Sequence, residues 1–339
     1  MLSSASPGYR LSPLGIAAAL GGLALFAWTL QRTGLDPVYE GIRKVGYGFV
    51  VILAFAGLRF LMRGLAWALC AEDAPRLGLA DTLPALVAGD ALGNLTPLGL
   101  LASEPAKAAF VRHRVSLMSA ASAITIENLF YTLTVALVIG GGTVSLLLLF
   151  EVPRTLQQVS LVALAAMIGI FVTGIVVLTS QIRVVARVVD AIDRRGGSTV
   201  SGWRSRLAKL LEFEERIYGF ASRHPGRIVP VLLLEIAFHV LAIAELWFTL
   251  RLLLGDAAPG LMTTFVLEAV NRTITAVFKF VPLRLGVDEA GTELLTRTLG
   301  LDTGLGVTMA IIRKGRMLSW TAVGVAILVR RGLAGRRAG

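Results

Sequence analysis

The sequence predicts an all-α polytopic membrane protein with about six transmembrane helices and two re-entrant helical hairpins in an inverted repeat. Of its 339 residues, 55% are hydrophobic and 16% are charged, and the mean hydropathy is +0.74. Soluble domains have roughly 45–50% apolar and about 25% charged residues. Two moderately apolar segments are also interrupted by proline and glycine, which is typical of broken helices inside membrane proteins.

Six segments reach the roughly 20 apolar residues that a helix needs to cross the hydrocarbon core. They are residues 11–30, 48–69, 115–150, 159–180, 228–254 and 305–329. The first is too long for the apolar region of a secretory signal, and no small-residue cleavage site follows it. We therefore expect it to be a transmembrane helix.

Basic residues predict which side of the membrane each segment faces. Segment 183–227 contains ten Arg or Lys residues, and the tail adds Arg330, Arg331, Arg336 and Arg337. The positive-inside rule places such clusters in the cytoplasm, so we expect a cytoplasmic C-terminus. Because the arginines behind the net charge of +11 flank the spans, nucleic acid is not expected as a partner.

The chain is expected to form a single membrane domain over residues 1–339. Its first half, 11–180, contains the hairpin 79–110, and its second half, 228–329, contains the hairpin 261–300. The connector 181–227 has apolar and charged residues at helical spacing, which predicts a cytoplasmic amphipathic helix on the membrane surface. A partner-binding surface is the alternative for this connector.

The two hairpins share a pattern around a central proline. PLGLLASE starts at Pro97 and PLRLGVDE at Pro282, and each places a glutamate, Glu104 or Glu289, seven residues after the proline. We expect Pro97, Pro282 and Gly286 to form the hairpin turns. In transporters, matching broken segments of an inverted repeat indicate a binding site near the membrane midplane.

Charged residues inside the predicted spans indicate a polar cavity, because each costs about 2.5–3.5 kcal/mol at the centre of a helix in lipid. Arg59 and Arg63 are four residues apart, and Arg313 and Arg316 are three apart, so each pair shares a helix face. Guanidinium groups bind phosphate oxygens in a bidentate manner. The alternative is that glutamates of the spans neutralise these arginines in static pairs, or that some arginines reach the interface; these glutamates are Glu127, Glu235 and Glu245.

We expect eight residues to bind the substrate or to pair with the groups that do. They are Arg59, Arg63, Glu104, Lys107, Glu127, Glu289, Arg313 and Arg316. A local role is also open for two of them, because glutamates near the start of a helix satisfy its free N–H groups.

Glu235 and His239 lie four residues apart, a spacing that fits a proton relay or a hydrogen-bonded core pair. Catalytic and metal-binding motifs such as HExxH, GxSxG, CxxC and the P-loop are missing from the sequence, and Cys70 is its only cysteine. We therefore expect no metal, no cofactor and no enzymatic activity. The alternative is an intramembrane acid/base enzyme that uses Glu235 and His239.

Several segments resemble the lysylphosphatidylglycerol synthase transmembrane-region family, also called flippase-like domain proteins, which includes hopanoid-associated membrane proteins. The segments are NLTPLGLLASEPAKAAFVRHR (94–114), RHPGRIVPVLLLEIAFHVL (223–241), FVPLRLGVDEAGTELLTRTLGL (280–301) and MAIIRKGR (309–316). The chain departs from the family pattern at Ser103, where glycine is usual, and at Leu283 and Arg284, which replace a glycine-rich turn.

The resemblance implies a protein of the bacterial cytoplasmic membrane that moves lipids or lipid-linked molecules between leaflets. Membrane lipids with an anionic or polar head group are the expected partners. The alternative is a non-transporting membrane partner or scaffold of a lipid-modifying enzyme.

Overall fold

The computed structural model describes residues 31, 35–72, 77–96, 99–179, 201–278, 281 and 284–337. The regular elements in these ranges are helices. They are α1 (Leu35–Val45), α2 (Gly48–Cys70), α3 (Leu79–Leu95), α4 (Gly99–Phe110), α5 (Leu117–Leu149), α6 (Arg154–Thr179), α7 (Ser201–Arg223), α8 (Pro225–Leu254), a short 3-10 turn (Gly255–Ala257), α9 (Leu261–Val277), α10 (Val287–Thr298) and α11 (Leu305–Arg337). The predicted span 11–30, residues 181–200 of the connector, and both hairpin prolines, Pro97 and Pro282, lie outside the described residues.

Four of the described helices are long and apolar enough to cross a membrane. They are Gly48–Cys70, Leu117–Leu149, Arg154–Thr179 and Pro225–Ala257, and each coincides with a predicted span. The chain is therefore a multi-pass helical membrane protein. The predicted span 305–329 lies within α11, which has 33 residues but carries Arg313, Lys314 and Arg316 in its first half. Its crossing of the membrane stays a prediction.

Each predicted hairpin is a pair of helices, and the two pairs have equal lengths. The first helices, α3 and α9, have 17 residues each, and the second helices, α4 and α10, have 12 each. A helix of 33 residues follows each pair. The packing also corresponds, since α2 packs along α8, α3 packs against α11, and α9 packs against α5.

Glycines allow the hairpins to approach the long helices closely. Gly324 of α11 lies against the backbone of Val87 and the side chain of Ala91, and Gly142 of α5 lies against Ala269 of α9. A Cβ atom added at either glycine would overlap these neighbours. Small residues at such crossings let membrane helices pack in close van der Waals contact. This contact stabilises the packing, because the hydrophobic effect does not drive helices together within lipid.

The connector helix α7 packs on the bundle. Phe220 is fully buried, with its ring 6.2 Å from that of Phe130 on α5. At the end of α2, the carboxylate of Glu72 pairs with Arg216 at 3.2 Å and with Arg223 at 2.5 Å. Phe220 belongs to a hydrophobic cluster of the bundle, and the position of the connector on the membrane surface stays a prediction. Cys70, at the end of α2, is buried in the same cluster.

Candidate functional site

A cavity of about 500 Å³ lies between the two hairpins and the long helices. The first hairpin contributes Asp90 and Asn94 of α3, and the second contributes Glu268 and Arg272 of α9. Helices α2, α5, α6, α8 and α11 supply the other walls. Both hairpins therefore meet one cavity, which we call the basic cavity.

Basic side chains outnumber acidic ones in the described lining of this cavity. The basic residues are Arg59, Arg63, Arg272, Arg284, Arg313, Lys314 and Arg316, and the acidic residues are Asp90, Glu245, Glu268 and Asp288. All four arginines that the sequence singled out are in this group. The other four predicted residues, Glu104, Lys107, Glu127 and Glu289, are not in the lining. Lys107, Glu127 and Glu289 each pair with a lining residue, and Glu104 pairs with Lys107.

Arg63 is held by a carboxylate behind the cavity wall. Its Nε donates to Glu127 Oε1 at 2.7 Å and its Nη2 to Glu127 Oε2 at 2.8 Å, which makes a bidentate pair. Nη2 also donates to Asn128 Oδ1 at 3.0 Å, and the guanidinium lies 4.4 Å from the centre of the Tyr131 ring. At Arg63 the structure therefore shows the alternative to substrate binding, in which a glutamate of another span neutralises the arginine.

Two arginines from different helices share one carboxylate. Arg59 of α2 donates to Glu245 Oε2 at 3.1 Å, and Arg316 of α11 donates to Glu245 Oε1. Glu245 lies on α8 with only 6% of its side chain exposed. A single negative charge faces two positive charges here, so this cluster retains a positive charge toward the cavity.

Arg313 has no carboxylate within ion-pair distance among the described residues. Its Nη2 donates to Thr292 Oγ1 at 2.7 Å, while its Nη1 is buried and lacks a hydrogen-bond partner in the same part of the chain. An unpaired buried charge is strongly destabilising, and guanidinium groups suit oxyanions. Arg313 is therefore the residue of the basic cavity that is best placed to bind an anion.

Glu289 joins the second hairpin to α11. The carboxylate is fully buried; one oxygen accepts the N–H of Gly286 at 2.8 Å and the other accepts Lys314 Nζ at 2.6 Å. Gly286 has φ +78°, a backbone conformation that favours glycine, directly before the start of α10. The local role expected of a glutamate at a helix start is the one that Glu289 performs.

Lys107 is the corresponding cation of the first hairpin. It is 2% exposed and pairs with Asp90 at 3.0 Å and Glu104 at 3.1 Å. Gly89 of α3 leaves room for it, since a Cβ there would overlap the lysine side chain. Glu104 lies in the middle of α4, not at its start, so its carboxylate binds Lys107 and Asn128 instead of free backbone N–H groups.

Glu235 and His239 lie on α8, outside the described lining of the cavity. His239 Nε2 is 3.0 Å from Thr134 Oγ1, and its ring stacks on Tyr131 with centres 6.0 Å apart. Glu235 is fully buried, and neither of its carboxylate oxygens has a hydrogen-bond partner among the described residues. The two side chains are not hydrogen-bonded to each other, and a proton relay through them stays a prediction.

Two residues at the centre of the site were missing from the expected set. The sequence predicts Glu245 only as an alternative neutralising group, and the helical spacing that links Arg313 with Arg316 does not include Lys314. The run RKGR in an otherwise apolar segment is the sequence signal that includes Lys314. No local signal identifies Glu245 as the partner of arginines on two other helices.

Comparison with known proteins identifies one family. A sequence model of the lysylphosphatidylglycerol synthase TM region matches residues 14–325, which is nearly the whole chain. No curated protein and no solved structure matches the chain significantly.

Proposed function

The chain belongs to the lysylphosphatidylglycerol synthase transmembrane-region family, and from this premise we propose that it moves a lipid between membrane leaflets. The anionic head group of the lipid binds in the basic cavity. The observation that carries the proposal is Arg313, a guanidinium in the cavity lining with no carboxylate partner among the described residues.

An uncompensated charge inside a protein raises its free energy strongly. Arg313 and the Arg59–Glu245–Arg316 cluster each retain a positive charge, and both line the same cavity. A phosphate diester carries one negative charge and two oxygens that guanidinium groups bind in a bidentate manner. A phospholipid head group therefore supplies the negative charge that this part of the cavity lacks.

The remaining lining suits the part of a lipid next to its head group. Apolar residues of the wall include Val135 and Ile139 of α5, Met167 and Ile170 of α6, and Trp320 of α11. Ligand sites commonly combine such apolar walls with a few placed polar groups. The lipid tails remain on the bilayer side while the head group crosses.

The equal helix lengths and the corresponding packing of the two halves support an inverted repeat. In transporters with such repeats, one repeat rocks against the other around a fixed site. We place the protein in the bacterial cytoplasmic membrane with its C-terminus in the cytoplasm, following the positive-inside rule. The proposal contains no catalytic step, and movement is driven by a gradient or runs downhill.

Lipid exchange in reconstituted vesicles tests the proposal. The protein is inserted into vesicles of phosphatidylglycerol and phosphatidylethanolamine that contain a trace of acyl-NBD-phosphatidylglycerol, and dithionite quenching measures the rate of exchange between leaflets. We expect Arg313→Gln to slow exchange about tenfold, because a hydrogen bond to a charged group contributes about 1.5–3 kcal/mol.

The matched control is Arg251→Gln, which removes an exposed arginine at the end of α8 that pairs with Asp256. It should exchange lipid at the wild-type rate. Equal rates for wild type and Arg313→Gln would overturn the proposed role of the cavity. A wild-type rate equal to that of protein-free vesicles would overturn transport and favour the non-transporting partner.

A further inference from the structure

An open surface groove of about 440 Å³ lies between α5 and α6, beside the basic cavity. Thr132 of α5 and Ile170 of α6 line both, so the groove and the basic cavity are adjacent at these residues. The described lining contains no charged side chain; it consists of Leu129, Thr132, Leu133, Ala166, Gly169, Ile170, Thr173, Gly174 and Val177. We call it the α5–α6 groove.

Two glycines of α6 shape this groove in opposite ways. At Gly174 the helices touch, since an added Cβ would come 2.5 Å from Leu133 of α5. At Gly169 an added Cβ meets no atom within 4 Å. Five residues correspond to about 7.5 Å along a helix. The groove is therefore open beside Gly169 and narrow at Gly174.

Helix α6 is a peripheral wall of the bundle. Its principal contacts are with α5 and α7, and most of its side chains are exposed, with only Ser160 and Gly174 buried. In a membrane this exposed surface faces lipid. The groove thus lies on the lipid-facing side of the bundle, next to the basic cavity.

We propose that the α5–α6 groove holds one acyl chain of the lipid whose head group occupies the basic cavity. This inference rests on the proposed function and specifies the substrate further. The groove and the basic cavity are neighbours at Thr132 and Ile170, with an apolar lining on one side and arginines on the other, and this order matches the order of groups in a phospholipid. The substrate is therefore an acylated molecule and not a free phosphate compound.

The groove orients the bound lipid more than it increases the affinity of the protein for it. A chain that moves from the bilayer into the groove exchanges one apolar environment for another, so it gains little hydrophobic free energy. An acyl chain beside Ile170 instead places the attached phosphate in the basic cavity. Filling the groove should accordingly slow lipid exchange and leave the binding of a chain-free phosphate unchanged.

Gly169→Trp tests this without a clash inside the protein, because the space beside this glycine is open. We expect lipid exchange in the vesicle assay to fall about tenfold. Stabilisation of the variant by sn-glycerol 3-phosphate, measured as a shift in melting temperature, should equal that of wild type. The control is Val172→Trp, on the same helix but outside the groove lining, where the side chain is already 54% exposed.

Wild-type exchange by Gly169→Trp would overturn the groove assignment and leave the proposed function standing. An absence of exchange by the wild-type protein would instead overturn the proposed function itself. Loss of the glycerol 3-phosphate effect in Gly169→Trp would also contradict the assignment, since it would mean that the substitution disturbs the basic cavity.

Photolabelling distinguishes a substrate chain from lipid that merely surrounds the protein. Phosphatidylglycerol with a diazirine in one acyl chain should label α5 and α6 next to Gly169 in wild type, and much less in Arg313→Gln. Equal labelling of both proteins would identify surrounding lipid only and overturn the assignment.

Discussion

Arg63 and Glu127 are joined by two hydrogen bonds, 2.7 and 2.8 Å long, that link α2 to α5. The side chains are 14% and 2% exposed. Removing two charges from water costs several kcal/mol for each ion, and good bidentate geometry offsets this cost. The pair thus fixes the relative position of two cavity walls, and the charge of Arg63 is compensated before any ligand binds.

Glu127→Gln should destabilise the protein by about 3 kcal/mol, because it leaves the Arg63 guanidinium in place without its carboxylate. Thermal unfolding in detergent micelles measures the effect. Glu212→Gln is the control, since Glu212 is 53% exposed and its pair with Arg216 one helical turn away contributes about 0.3–0.5 kcal/mol. Equal melting temperatures for the two variants would contradict the structural importance of the pair.

Replacing both Arg63 and Glu127 should restore most of the stability that Glu127→Gln loses. In the double variant Arg63→Leu, Glu127→Leu no charge is left unpaired, and apolar replacements of buried ion pairs are often neutral or stabilising. We expect its melting temperature to lie closer to wild type than to Glu127→Gln. A double variant less stable than the single one would mean that Asn128 and Tyr131, which also contact Arg63, depend on the charge.

Glu245→Gln should increase the response of the protein to oxyanions. The substitution leaves Arg59 and Arg316 facing each other without a shared carboxylate, so an added anion has more charge to neutralise. Ligands that bind only the folded state raise its stability. We expect sulfate to raise the melting temperature of this variant more than that of wild type, from a lower starting value. A smaller sulfate effect than in wild type would refute the assignment of Glu245 as the internal counter-ion.

Gly286→Ala should destabilise the protein by about 1–3 kcal/mol, because φ +78° is strained for a residue with a Cβ atom. The altered turn would also move the N–H that binds Glu289. Gly226→Ala at the start of α8 is the control, since its surroundings are open and its φ is ordinary. Melting curves that do not distinguish the two variants would argue against a required turn at Gly286.

Helix positions in this protein follow from hydropathy to a large extent. The predicted span 48–69 and the helix Gly48–Cys70 agree to within one residue. The predicted span 159–180 starts later than α6, which begins at Arg154, because polar residues such as Gln157 and Gln158 lower the hydropathy of the first turns. Both broken segments were also recognisable, since proline and glycine interrupt an apolar pattern.

The partners of the charges were not predictable in the same way. Arg63 and Glu127 are 64 residues apart in sequence, and Arg316 and Glu245 are 71 apart. Which arginine meets a carboxylate depends on how each helix is rotated and how deeply it inserts, and spacing within one helix carries no such information. The sequence therefore predicts four of the six arginines in the described lining, but it does not distinguish the paired Arg63 from Arg313.

The buried position of Cys70 makes the protein suitable for thiol labelling at introduced cysteines. It is the only cysteine of the chain, and it is completely buried. Thiol reagents attack exposed thiolates, so this side chain is shielded from them. A cysteine introduced at Asn94 or Thr275 in the cavity lining, or at Thr173 in the groove, would be the one readily labelled thiol. Membrane-impermeant reagents added on either side would then report directly which leaflet each wall faces.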